Sequence, residues 1–173
     1  MKKILIVVDM QNDFVTGSLK APNALGIVRP VIEEIRKRKA EDVIFTKDTH
    51  SNDYLNTSEG KHLPVPHCIK NTAGWELYPE IQKEVRDSLV IEKPTFGSLI
   101  LIDYLKKRIK SEEDTITFVG LCTDICVIAN AVLAKTYFRE NKVCVIKNAV
   151  AGVTEMKNEE ALDVMSSLQI EII

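Results

Sequence analysis

The sequence predicts an α/β protein built as a three-layer, open and mostly parallel sheet with helices on both faces. Two observations support this prediction. Short apolar segments alternate along the chain with longer segments whose apolar residues recur at helical spacing. The first short segment, KILIVV at residues 3–8, is apolar almost throughout, which is typical of a parallel strand covered on both faces.

The remaining elements follow from the same patterns, in chain order. From Pro22 to Lys39, apolar and charged residues occupy opposite sides of a helix, in which Pro30 marks either a kink or the true start. Ser98 is available to cap the helix predicted at 98–109. Further helices are predicted at 75–85, 125–138 and 158–168, and further strands at 43–46, 88–92, 115–119, 142–147 and 169–173.

Length and composition exclude several classes of protein. The 173 residues fit one domain, residues 1–173, with one core. A net charge of −2 with mixed signs offers no basic face for nucleic acid and no polybasic segment for a membrane. Apolar runs stay far below the roughly 20 residues that cross a bilayer, so we expect a cytoplasmic protein. Four cysteines without regular disulfide or zinc spacing are predicted to be reduced: Cys68, Cys122, Cys126 and Cys144.

Three candidate catalytic residues lie at or just beyond predicted strand ends. Asp9 follows the first strand, and Lys93 follows the third and is kept extended by Pro94; ligands bind at this edge of open parallel sheets. Cys126 lies in the first turn of a predicted helix, where the positive end of the dipole favours a thiolate near neutral pH. A carboxylate near a thiol can act as general base while a lysine stabilises the negative charge. Taken singly, they are also explained as a turn former, a solvated lysine and a structural cysteine.

The long connection after the second strand, residues 47–74, contains all three histidines of the protein. Loops this long inside a compact domain tend to be functional. Asp48 and His50 are two residues apart in extended chain, so their side chains can converge on one cation. Further ligands would come from the same connection, with these candidates: His67, His62 and Glu59.

Short sequence blocks follow one another from the first strand to the fourth: VVDMQNDF at 7–14 with GSL at 17–19, KDTH at 47–50, PHC at 66–68, EKPTFGS at 92–98 and GLCTDICV at 120–127. In content and order these blocks resemble the cysteine hydrolase superfamily of nicotinamidases and isochorismatases. The resemblance implies an isochorismatase-like fold.

The resemblance also implies roles for individual residues. Asp9 would be the general base and acid, Lys93 the charge partner and Cys126 the nucleophile of an acyl-enzyme mechanism. A cis peptide bond between Leu121 and Cys122 is implied as well, with the backbone N–H groups of Cys122 and Cys126 directed at the oxyanion.

In the nicotinamidase branch of this superfamily, an Asp-x-His pair and a distal histidine bind one metal. Asp48, His50 and His67 match that pattern. Glu59 resembles the fourth ligand of some relatives, and His62 is the alternative candidate for that position. The implied cofactor is one divalent ion: zinc, with iron or manganese as alternatives. It would hold the pyridine nitrogen of nicotinamide and so position the carboxamide.

The implied activity is hydrolysis of a small amide, nicotinamide to nicotinate and ammonia in NAD salvage, by a homodimer or homotetramer. Phe14 is the implied substrate contact. Relatives that bind nicotinamide often have an aromatic residue three positions before the distal histidine, where this chain has Pro64. Two alternatives therefore stay open: hydrolysis of another small amide or ureido compound on the same three residues, and a catalytically idle ligand-binding member.

Overall fold

Six strands form the centre of the molecule: β1 (Lys3–Val8), β2 (Val43–Asp48), β3 (Leu89–Lys93), β4 (Thr115–Leu121), β5 (Lys142–Ala151) and β6 (Glu171–Ile172). In this computed structural model, which describes residues 1–173, they make one sheet in the order β3-β2-β1-β4-β5-β6. Every neighbouring pair is parallel. The predicted parallel α/β architecture is confirmed.

Seven α-helices connect the strands: α1 (Asn12–Val15), α2 (Ala24–Arg36), α3 (Ser58–His62), α4 (Pro79–Gln82), α5 (Leu99–Arg108), α6 (Ile128–Tyr137) and α7 (Glu155–Ser167). Successive residues of β1 join two different apolar clusters, because side chains alternate between the faces of a strand. One cluster contains residues of α2 and α4, and the other contains residues of α5, α6 and α7. The sheet is therefore covered on both faces. No helix is long and apolar enough to span a bilayer.

The helix predicted at 75–85 is a single turn, α4. The residues before it pair with the segment that follows β1: the Tyr78 amide donates to the Met10 carbonyl (2.8 Å), and the Asn12 amide donates to the Glu76 carbonyl (2.9 Å). A helix from residue 75 would pair the Glu76 carbonyl with the amide of residue 80, but that carbonyl accepts from Asn12 instead. The apolar periodicity here therefore reflects packing of Leu77 and Ile81 in the core. Trp75 is buried in the core.

Two further helices differ from the prediction. α2 continues through Pro30, since buried residues on both sides of the proline, Val28 and Val31 among them, hold the helix against the core. The helix predicted at 125–138 begins later than expected, so Cys126 lies before it: Thr123–Val127 form a π-helical turn that contains Cys126, and α6 starts at Ile128. π-helical turns occur frequently at functional sites.

Candidate active site

Asp9, Lys93 and Cys126 meet at the carboxyl edge of the sheet. The ammonium group of Lys93 lies 2.6 Å from Asp9 Oδ2 and 3.4 Å from Cys126 Sγ. All three residues are buried, with exposed fractions of 0%, 1% and 5% for Asp9, Lys93 and Cys126. The three residues singled out in the sequence thus form one contact group in which the ammonium touches both the carboxylate and the thiol.

The strand order explains how these residues meet. β2 lies between β1 and β3, so Lys93 must reach across two strand spacings, about 9–10 Å, and its long side chain does so. Asp9 has a φ of 47°, in the left-handed region that ends a strand. Its amide donates to the carbonyl of Thr46 on β2 (3.2 Å), and the Thr46 hydroxyl donates to Asp9 Oδ1 (2.7 Å). Thr46 was not singled out in the sequence, although it is the last residue of the predicted second strand, at the edge where ligands bind.

Gly120 brings the end of β4 close to the end of β1. Its φ is 111°, and a Cβ atom there would lie 2.1 Å from the carbonyl oxygen of Val8. Only glycine allows that approach. The implied cis peptide bond between Leu121 and Cys122 follows directly, and the π-helical turn then carries Cys126 to Lys93.

The protonation of this group differs from the expectation. Burial raises the pKa of the Cys126 thiol well above its usual value; Lys93 opposes this effect, while the nearby carboxylates of Asp9 and Asp48 add to it. The expected thiolate near neutral pH is therefore not the resting form. Burial also raises the pKa of Asp9, against the opposing effect of Lys93, which makes Asp9 a stronger base than a solvated aspartate. Burial alone would lower the pKa of Lys93, but Asp9 and the other acidic groups raise it, so the lysine stays charged.

A second polar group adjoins the first. Asp48, His50, Glu59 and His67 each offer one ligand atom, and these atoms all lie within 4.8 Å of one another. Asp48 Oδ2 is 3.0 Å from His50 Nε2 and 3.5 Å from His67 Nε2. Glu59 Oε1 is 3.6 Å from each of the two ring nitrogens. Ligand atoms about 2.1 Å from a tetrahedral ion lie about 3.4 Å from one another, so the spacing fits one divalent ion.

The charge of this group also fits a cation. Burial alone would lower the pKa of His67, but Asp48 and Glu59 raise it to about 9. The two carboxylates thus create a potential that holds a positive charge at the ring nitrogen. Between the two candidates for the fourth ligand, the structure brings Glu59 into the group and leaves His62 exposed outside it.

Local structure holds these ligand atoms in place. The side chain of Gln11 accepts from the Asp48 amide (2.7 Å) and donates to the Asp48 carbonyl (2.8 Å). His67 Nδ1 is 2.8 Å from the carbonyl oxygen of Val65, which leaves Nε2 for a metal. Glu59 lies in α3 beside Gly60, where a Cβ atom would lie 2.0 Å from the carbonyl oxygen of Tyr54. Only glycine lets α3 pack closely enough to bring Glu59 to the group.

Asp48 connects the two groups. It pairs in register with Lys93 on β3, and Asp48 Oδ1 lies 3.4 Å from Lys93 Nζ while Oδ2 faces the histidines. A ligand held by the metal group would therefore lie beside the group that contains Cys126.

Aromatic rings border the metal group. The Phe14 ring, 8% exposed, has its centroid 5.7 Å from that of His67. Tyr54 is 4.8 Å from His50 and 5.0 Å from His67, again between ring centroids, and its hydroxyl donates to the Leu63 carbonyl (2.9 Å). Tyr54 was not singled out in the sequence, although no other Phe, Tyr or Trp occurs between residues 47 and 74.

A large cleft lies elsewhere in the molecule. It has a volume of about 1100 Å³, is bordered by α2, β5 and the start of α7, and contains none of the residues described above. The volume of a cleft therefore does not identify the candidate active site, whereas the cluster of buried ionisable groups does.

Comparison with known proteins identifies the family. Residues 3–173 match the family model described as the Isochorismatase domain. The chain is 31% identical over 173 residues to an uncharacterised isochorismatase family protein of Bacillus subtilis, covering 94% of this chain and 93% of the relative. It is 29% identical over 209 residues to a nicotinamidase of Schizosaccharomyces pombe, covering 98% of this chain and 91% of the relative.

A solved structure gives the same result. The pyrazinamidase of Pyrococcus horikoshii in complex with zinc superposes with a TM-score of 0.83 at 29% identity, covering 100% of this chain and 99% of that chain. The resemblance drawn from the sequence blocks is confirmed, and the chain belongs to the isochorismatase domain family.

Proposed function

We propose that this chain hydrolyses nicotinamide to nicotinate and ammonia through a thioester on Cys126. The observation that carries the proposal is the contact of Lys93 Nζ with both Asp9 Oδ2 and Cys126 Sγ, directly beside four potential metal ligands. The relatives named nicotinamidase and pyrazinamidase support the substrate class.

The proposed reaction begins with transfer of the thiol proton of Cys126 to Asp9 as the sulfur attacks the amide carbon. The negative charge then moves from the carboxylate to the sulfur and on to the substrate oxygen, and Lys93 stays in contact with both protein groups. The charged Lys93 beside the sulfur offsets part of the burial that disfavours the thiolate. Because Asp9 is a stronger base than a solvated aspartate, proton transfer to it is favoured over release to solvent.

The remaining steps use the same groups in reverse. Asp9 returns the proton to the amide nitrogen, which leaves as ammonia, and the thioester remains. Asp9 then takes a proton from water as the water attacks the thioester carbon, and the thiol is regenerated as nicotinate leaves. We propose that the backbone N–H groups of Cys122 and Cys126 stabilise the substrate oxygen, since both residues belong to one turn after β4.

The proposed ligands of one divalent ion are Asp48, His50, Glu59 and His67. Zinc is the first choice of metal, and iron and manganese are the alternatives. When bound, such an ion would supply a Lewis acid for the pyridine nitrogen and so orient the carboxamide. The zinc complex of the Pyrococcus pyrazinamidase supports the choice of metal. Phe14, next to His67, is the proposed contact for the face of the ring.

The wider role that goes with this activity is NAD salvage in the cytoplasm, by a homodimer or homotetramer. A second activity remains a candidate because of Pro64, which is exposed and not aromatic. Without an aromatic residue at position 64, the site would accept a different substrate, and Asp9, Lys93 and Cys126 would act on another small amide or a ureido compound.

The test is ammonia release from nicotinamide by protein loaded with zinc, iron or manganese, with Cys126→Ala as the inactive control. Benzamide keeps the carboxamide and lacks the ring nitrogen, so we expect it to be a much poorer substrate. Absence of ammonia with all three metals refutes the nicotinamide assignment. Release from another amide that is lost in Cys126→Ala supports the second activity, and equal rates on benzamide refute the role of the ring nitrogen.

A further inference from the structure

Asn130 is a fully buried polar residue in an otherwise apolar part of α6. Its side chain makes three hydrogen bonds, all with backbone groups. Oδ1 accepts from the Ser98 amide (2.9 Å), and Nδ2 donates to the carbonyls of Phe96 (2.9 Å) and Cys126 (2.7 Å). Every hydrogen-bonding group of the side chain is thus paired, which offsets the cost of its burial.

The partners of Asn130 belong to the two segments that carry the reacting groups. Phe96 and Ser98 lie in the segment that directly follows Lys93. That segment also holds the lysine, because the Thr95 carbonyl accepts from Lys93 Nζ (3.1 Å). The third partner is the backbone of Cys126 itself. The side chain of Asn130 therefore joins the turn that contains Cys126 to the segment that holds the ammonium group of Lys93.

We propose that Asn130 is a positioning residue for the reaction, and that it keeps Lys93 Nζ in contact with Cys126 Sγ by joining residues 94–98 to the turn at 123–127. The inference rests on the proposed function. An alanine at this position would also pack in the apolar part of α6, and its side chain would need no hydrogen-bond partner. Apolar packing alone therefore does not explain an asparagine here. A fully paired buried amide instead selects one relative placement of the segments that it joins.

Loss of Asn130 acts on the reaction through geometry. Residues 94–98 lose both bonds to α6, and the Thr95 carbonyl is no longer held beside Lys93. A displacement of about 1 Å between reacting groups can lower a rate about 100-fold. Substrate binding at the metal group uses other residues, so kcat falls and KM changes little. A lysine farther from the sulfur also stabilises the thiolate less, so Cys126 reacts with an alkylating agent only at higher pH.

The experiment compares Asn130→Ala and the milder Asn130→Ser with a matched control, Asn141→Ala. Asn141 is 7% exposed, and its Nδ2 donates to the carbonyls of Ser111 (2.8 Å) and Asp114 (3.0 Å), away from Cys126. For each protein we would measure kcat and KM for nicotinamide, the midpoint of urea unfolding, and the pH dependence of iodoacetamide modification at Cys126 by peptide mass spectrometry.

We expect kcat of both Asn130 variants to fall roughly 10- to 100-fold with KM within a few-fold, and alkylation of Cys126 to shift to higher pH. Asn141→Ala should lose stability without either change. The proposal is overturned if a folded Asn130 variant keeps both kcat and the alkylation profile, if Asn141→Ala shows the same losses, or if neither Asn130 variant folds. Alkylation needs no substrate, so it tests Asn130 even if wild-type protein fails to hydrolyse nicotinamide.

Discussion

Replacing Thr46 by valine tests the assignment of Asp9 as the base. The Thr46 hydroxyl donates to Asp9 Oδ1 at 2.7 Å, and both residues are completely buried. This bond stabilises the carboxylate and lowers the pKa of Asp9, although burial raises it more. Valine has nearly the same shape and no hydroxyl, so the substitution removes this bond and the longer one that Thr46 Oγ1 accepts from the Asp9 amide (3.3 Å). The Asp9 amide keeps its bond to the Thr46 carbonyl.

The expected effect follows from the strength of that bond. A hydrogen bond to a charged group contributes about 1.5–3 kcal/mol, and one pKa unit corresponds to about 1.4 kcal/mol. Without the bond, the pKa of Asp9 rises further. Because Asp9 must be deprotonated to accept the thiol proton, the acid limb of kcat/KM should move to higher pH, by about 1 to 2 pH units.

The assay is ammonia release across the pH range, with metal content measured at each pH so that loss of the ion is not mistaken for titration of Asp9. Thr117→Val on β4 is the matched control: it removes a buried hydroxyl from the same sheet without a bond to Asp9. An acid limb that stays in place in Thr46→Val, or moves equally in Thr117→Val, contradicts the role of Asp9.

Three further predictions address the metal group and the buried ion pair. Glu59→Gln should weaken zinc binding at least about tenfold, as measured by competition titration. His62→Gln is the control and should leave zinc binding unchanged, because His62 is exposed and lies outside the metal group. Lys93→Met should lower the free energy of unfolding in urea by about 3–5 kcal/mol at neutral pH, because Asp9 loses its cation; the deficit should shrink as the pH falls, since protonated Asp9 needs none. Gly60→Ala, whose Cβ atom would meet backbone at 2.0 Å, should destabilise the protein by about 1–3 kcal/mol and weaken zinc binding as well; unchanged zinc affinity would show that α3 does not place Glu59.

The sequence by itself determined which residues come together. Carboxyl ends of parallel strands share one edge, so a strand ending in Asp9, a strand ending in Lys93 and a turn bearing Cys126 could be assigned to one place without coordinates. Asp48 and His50 could be paired for a similar reason, because alternate residues of an extended chain point to the same side. Both conclusions use only local periodicity and the geometry of parallel sheets.

Only the tertiary structure decided how these residues behave. The pKa of Cys126 depends on burial and on carboxylates from β1 and β2, and burial is a property of the packed chain, so the helix dipole alone led to the wrong protonation state. The choice of Glu59 over His62 depends on how closely α3 packs. The contacts of Thr46 with Asp9, and of Asn130 with Phe96 and Ser98, join segments far apart in sequence. Contacts of that kind leave no periodic signal, because they are set by where strands and helices lie next to one another.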